Sequence, residues 1–145
     1  MDEQTVRKTF KYKLILALAQ ERELGRVLGL CHSLYNTGLE QRITAWQRVR
    51  VTVSCFQQEA ELRDLRAAFP EYEAIHSQVL QDVLSRLDKT YQAFFRRLQA
   101  GEKAGFPRYQ GRERYHSFTY KEGGKGATLD TGFLVLSKSG RIAMR

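Results

Sequence analysis

Apolar and polar residues alternate from Val6 to Leu14. Phe10, Tyr12 and Leu14 fall on one face, and Arg7, Thr9, Lys11 and Lys13 on the other. That two-residue period predicts a half-buried strand with a cationic outer face. From about Leu18 the period lengthens. Leu24, Val27, Leu28, Cys31, Tyr35, Leu39 and Trp46 recur at helical steps, as on an amphipathic helix. Gly25, Gly29 and Gly38 weaken its intrinsic propensity by up to about 1 kcal/mol each, while allowing another backbone to come close. Tyr35, Asn36 and Trp46 read as core and helix surface.

The run RVRVTVS ends that pattern, and Ser54 followed by Gln57 fits a capping box opening a second helix. It should extend to about Ala68, with Phe56, Leu62 and Leu65 as its apolar positions and Pro70 as its stop. The third helix carries the clearest stripe. Val79, Leu80, Val83, Leu84, Leu87, Tyr91, Phe94, Phe95 and Leu98 share one side from about Ser77 to Gln99. Each such side chain contributes on the order of 1.5–3 kcal/mol when buried, before entropy is counted. This helix should anchor a helical lobe.

Past Gly101 and Gly105 the pattern is strand-like again, at Ser117 to Tyr120, Phe133 to Leu136 and Arg141 to Met144. Gly123, Gly124 and Gly126 make the first connection, and Ser139-Gly140 suits a tight turn for the second. The expected fold class is α+β. A small antiparallel β-barrel or sheet carries a three-helix bundle inserted after its first strand. The β part should comprise residues 1–16 and 105–145, and the helical lobe 17–104.

Charge adds a direction. The net charge is +8, and from Arg96 to Lys125 eight basic residues face three acidic ones, so this stretch holds +5 of it. Between Gly105 and Tyr120, arginines, glycines and aromatic rings are interleaved. Guanidinium groups that hold phosphates, beside rings that stack or pack, suit a polyanion with flat bases. From Asn36 to Phe95, by contrast, eight acidic residues oppose seven basic ones, as on a solvated helix surface. No apolar run approaches the ~20 residues of a spanning helix, and the amino terminus lacks signal-peptide character. Cys31 and Cys55 lie among apolar neighbours with no CxxC spacing, and read as reduced, packed thiols of a cytosolic protein.

Catalytic chemistry is not legible. His32, His76 and His116 are far apart, and no pair has metal-ligand spacing. There is no phosphate-binding glycine loop with a lysine and no nucleophile elbow. No carboxylate cluster suggests a two-metal site, and Glu59 and Glu61 read as surface carboxylates. On this reading the chain binds and does not transform.

Several short motifs then fall into one order. A basic first strand precedes Tyr35-Asn36 in the first helix. Tyr91-Gln92-Ala93-Phe94-Phe95 closes the third helix. Gly105-Phe106-Pro107-Arg108-Tyr109 and Ser117-Phe118-Thr119-Tyr120 follow. Together they resemble the amino-terminal region of TnpB (OrfB-type) proteins of bacterial and archaeal insertion sequences, across essentially the whole chain. The resemblance implies an RNA-guided DNA endonuclease related to type V CRISPR effectors. The β part would be an OB-like wedge domain, and the inserted helices a recognition lobe. The two would hold guide RNA and read a transposon-adjacent motif in duplex DNA.

In that family cleavage belongs to a RuvC-like domain with metal-binding carboxylates, expected past Arg145. Divalent metal and zinc are accordingly expected only there, with no cofactor in this chain. The implied motif-reading residues are Ser77, Gln78 and Gln81 at the start of the third helix, with Thr119 after the Phe-Pro-Arg segment. A further contacting stretch falls at Ser54, Cys55 and Phe56. A glutamine amide can pair bidentately with adenine, worth about 1–3 kcal/mol of discrimination. Lys11, Lys13, Arg108, Arg112, Arg114 and Lys121 would hold phosphates of DNA or guide RNA, setting register more than sequence. Two departures stand out: Ser77 replaces a lysine found in related proteins, and Ser137 replaces a proline common in the last hairpin.

Two other readings remain open. One is the front of a complete nuclease, which residues past Arg145 would reveal. The other is a stand-alone DNA-binding or interaction domain with no guide RNA, which binding assays at low ionic strength would separate. The expected location is the cytoplasm, in contact with the nucleoid and not with a membrane.

Overall fold

The computed structural model describes residues 8–121 and 126–145. Val6, Arg7, Glu122, Gly123, Gly124 and Lys125 lie outside the described residues, and with them part of the first strand and of the glycine connection. The element order is β1 (Leu14–Ile15), α1 (Leu18–Val49), α2 (Cys55–Ala68), α3 (Pro70–Glu73), α4 (Ser77–Gln99), β2 (Ala127–Asp130), β3 (Phe133–Leu136) and β4 (Gly140–Met144). The architecture is α+β, with four helices and an open four-stranded antiparallel sheet in the order β1-β4-β3-β2. All four helices lie in sequence between β1 and its partner β4.

α1 runs for 32 residues and turns Val27, Cys31, Leu34, Tyr35 and Leu39 into the core. It ends where Arg50 adopts a left-handed backbone with φ 54° and donates its N–H back to the Trp46 carbonyl. Ser54 then opens α2 with the expected reciprocal cap. Its Oγ accepts the Gln57 N–H at 3.1 Å, and its own N–H donates to Gln57 Oε1 at 2.8 Å. Pro70 ends α2 but does not end helical structure. It stands at the first turn of α3, where its missing N–H costs nothing.

α4 spans the expected residues and buries Val79, Leu80, Val83, Leu84, Leu87 and Tyr91. It packs closely on α1 at Gly38, where an added Cβ would lie 2.9 Å from Leu87 Cδ2. Gly25 and Gly29 face open space, so only Gly38 serves helix approach. Beside it a buried polar hub ties three helices together. Arg42 donates to Gln58 Oε1 at 3.0 Å and to Asp88 at 3.2 Å, while Gln58 Nε2 donates to the Gly38 carbonyl at 2.9 Å. The Arg42 guanidinium also lies 4.8 Å from the Tyr91 ring centre, so the buried cation has polar and aromatic partners.

Several expectations are corrected. The first strand is two residues long, and Phe10 and Tyr12 lie outside it, 67% and 48% exposed. The ladder reaches Lys13, which exchanges both backbone hydrogen bonds with Arg145. Phe56 is not an apolar core position of α2, being 81% exposed. Phe95 and Leu98 of the α4 stripe are exposed, while Trp46 keeps to the helix surface under the Arg50 guanidinium.

Ser117 to Tyr120 forms no ladder; Arg86 takes up the Ser117 carbonyl instead. β2 was not legible beforehand. It hairpins onto β3 through Gly132 at φ 76°, and β3 turns into β4 through Lys138 and Gly140, both with positive φ. The Ser137 N–H donates to the Gly126 carbonyl at 2.7 Å, a bond that proline could not make. Gly126 is pressed against Tyr120, and a side chain there would collide with that ring.

Candidate nucleic-acid interface

After α4 the chain returns along the helices as an irregular ribbon from Gly105 to Lys121, held by side chains in place of a β-ladder. Asn36 of α1 binds both backbone groups of Gln110, at 2.8 and 2.9 Å. Tyr115 is buried, 5.9 Å from the Tyr35 ring and 6.3 Å from His32. Burial pushes its phenol up to about 12, with the Arg86 charge pulling the other way. Arg86 donates to the Ser117 carbonyl at 2.7 Å and to Thr119 Oγ1 at 2.9 Å, and pairs with Asp82 at 2.8 Å. At the ribbon's end Lys121 donates to Ser85 at 2.6 Å and lies 4.0 Å from Glu59. Arg108, ahead of Gln110, and Arg112 and Arg114, between it and Tyr115, stay exposed.

On the α2 side of α4 an open groove of about 440 Å³ is lined by Glu59, Arg63, Arg66, Glu73, Ser77 and Gln81, among others. Two of the expected motif-reading residues, Ser77 and Gln81, therefore share one concavity. Gln78 stands beside them at the start of α4, its N–H donating to His76 Nδ1 at 3.2 Å. Thr119 is exposed but holds Arg86, so its hydroxyl is already engaged. Ser54 and Phe56 do not line the groove; Ser54 is occupied as the cap of α2, and Phe56 projects outward. Lys11 and Lys13 are exposed at the β1 end, while Lys121 is tied to α4.

Sequence reasoning missed Arg63 and Arg66, which had been absorbed into the balanced charge of the helical lobe. Their signal was their place beside buried Leu62 on α2. Arg66 and Lys138 both donate to the Glu73 carbonyl, at 3.2 and 2.6 Å. They converge near His76, whose imidazole is held below its ordinary value by burial and then by Lys138 and Arg66. Among the described residues no group of three or more His, Cys, Asp or Glu could hold a metal ion. No helix among them is long and apolar enough to cross a membrane.

This arrangement meets two findings from comparison with known proteins. Residues 1–50 match the family model of the OrfB/IS605-type helix-turn-helix domain. In this chain that segment contains β1 and the single long α1, the turn and α2 following it. Over 115 residues the chain is 31% identical to a Streptomyces pristinaespiralis protein named "Putative RNA-guided DNA endonuclease". That alignment covers 77% of this chain and 27% of the relative, so it spans about a quarter of that protein's length. Both findings match the chain to the amino-terminal region of TnpB/OrfB-type proteins.

Proposed function

We propose that the chain is the nucleic-acid-binding amino-terminal module of a TnpB-like RNA-guided DNA endonuclease. Residues 1–16 and 105–145 act as an OB-like wedge and residues 17–104 as the recognition lobe. The observation that carries this reading is the shared placement of Ser77 and Gln81 in the open α2–α4 groove, beside Arg63 and Arg66. The groove combines the Gln81 amide, suited to a base edge, with the Arg63 and Arg66 guanidiniums, suited to phosphates, beside the carboxylates of Glu59 and Glu73. The exposed Arg108, Arg112 and Arg114 on the anchored ribbon supply sequence-independent affinity, for guide RNA or for the DNA backbone.

DNA cleavage is assigned to parts of the parent protein outside these residues. The divalent metal and zinc implied by the family are assigned to those same outside parts. Sequencing of RNA that copurifies with the chain tests the proposal. Enrichment of a transposon-end transcript is the expected result, and a sample of the host transcriptome without enrichment would overturn it.

A further inference from the structure

α2 divides its charges between two grooves. Arg63 and Arg66 line the one that holds Gln81, whereas Glu61 and Asp64 line a second, of about 420 Å³, between α1 and α2. Leu62 lines both and marks the divide. The second groove is apolar inside. Leu34, Leu62 and Leu84 are buried there, while Leu65 and Phe69 keep part of their surface in solvent. On the α1 side stand Thr37 and Gln41, whose Nε2 donates to Glu61 Oε2 at 2.8 Å. Among the described residues no Lys, Arg or His lines this groove.

Carboxylates on the rim repel phosphates, so this groove does not suit the polyanion that the rest of a +8 chain attracts. Its apolar interior calls for apolar side chains, and Glu61 and Asp64 call for cations beside them. From Leu34 to Gln41 the α1 wall is two turns long, about 10 Å, which matches anchors three or four residues apart on a docked helix. We propose that the α1–α2 groove docks a cationic amphipathic helix of a partner protein. Its apolar anchors lie against Leu34, Leu62, Leu65 and Leu84, and its lysines or arginines face Glu61 and Asp64. The charge complementarity selects the partner, because an acidic helix with the same apolar stripe would meet like charge at the rim. The proposal goes beyond the nucleic-acid reading and does not draw on it.

The test uses the full 145-residue chain and a pair of fluorescein-labelled peptides. One is a helix of about 15 leucine and lysine residues with leucine at helical spacing, and the other carries glutamate in place of each lysine. By fluorescence anisotropy the leucine–lysine peptide should bind about tenfold more tightly, although the net charge of +8 favours its rival. Thr37→Trp fills the groove from an exposed position and should weaken that peptide about tenfold. Glu61→Lys/Asp64→Lys should reverse the preference between the two peptides. Both variants should keep native circular dichroism, since all three residues are exposed. Tighter binding of the leucine–glutamate peptide by the native chain, or binding of neither peptide, would overturn the proposal. Undiminished binding of the leucine–lysine peptide in Thr37→Trp would overturn it as well. Duplex DNA affinity lost in parallel with peptide affinity in Thr37→Trp would assign the groove to nucleic acid instead. The nucleic-acid reading stands or falls separately, on the copurifying RNA.

Discussion

The side chain of Asn36 grips the backbone of Gln110 from both sides: Oδ1 accepts the Gln110 N–H at 2.8 Å, and Nδ2 donates to its carbonyl at 2.9 Å. His32 Nε2 lies 2.6 Å from the same carbonyl. A carbonyl only accepts, so the imidazole proton sits on Nε2 in this contact. One asparagine on α1 thus does for the ribbon what a neighbouring strand would do. Because Arg108, Arg112 and Arg114 flank Gln110, this anchor also decides where three cations sit. Asn36→Ala should cost about 1–3 kcal/mol, the penalty for stranding part-buried backbone groups. It should expose the Gln110 amide to hydrogen exchange. Exchange as slow as in the native chain would contradict the anchor.

The contact of Gly38 with Leu87 sets opposite expectations for glycines on one helix. Gly25→Ala should raise stability by up to about 1 kcal/mol, since the new methyl meets nothing and helix propensity improves. Gly38→Ala should forfeit that gain, because its methyl would stand 2.9 Å from Leu87 Cδ2 in a packed core. Leu87→Asp places a charge where the side chain is fully buried and should unfold the helical lobe. Urea denaturation followed by far-ultraviolet circular dichroism checks all three. Native helix content in Leu87→Asp would refute the assigned role of that position.

What could be read beforehand follows a physical division. Elements specified by their own residues were legible: the Ser54–Gln57 cap, the apolar stripe that delimits α4, and the Phe133–Leu136 strand with its glycine turn. Features that depend on a distant partner were not. Alternation reveals that Phe10 and Tyr12 share a face, but not whether anything covers it. Ser117 to Tyr120 has strand-like composition, yet Arg86 satisfies its backbone and no ladder forms. The groove was half legible. Ser77 and Gln81 came from family register, whereas Arg63 and Arg66 acquire meaning only once α2 lies beside α4.

His76 makes stability depend on pH. Its Nδ1 caps α4 by accepting the Gln78 N–H, which requires a neutral ring. Burial, then Lys138 and Arg66, depress its pKa below the ordinary 6.5. Just below 6.5 the unfolded chain therefore binds more protons than the native one. Stability from this residue is complete above the unfolded value, falls as pH drops through the native value, and then levels off. The urea midpoint should be lower at about pH 5.5 than at about pH 7.5. His76→Asn, a cap that does not titrate in this window, should flatten the dependence. A midpoint just as steep in His76→Asn would assign the effect to other groups.

Gln81 and Arg112 should fail in different ways. Gln81 lines the groove on a rigid helix, where its amide can present a donor and an acceptor to one base edge. Arg112 is exposed on the ribbon, and in the proposed role its charge would serve any sequence alike. With a library of randomised duplexes, Gln81→Ala should flatten the preference at one motif position by about 1–3 kcal/mol. Its affinity for unrelated duplexes should hardly change. Arg112→Ala should weaken all duplexes together and reduce the slope of log affinity against log salt by about one. Uniform loss in both variants would mean that Gln81 contacts the backbone. A flattened preference in Arg112→Ala would move base reading out of the groove and onto the ribbon.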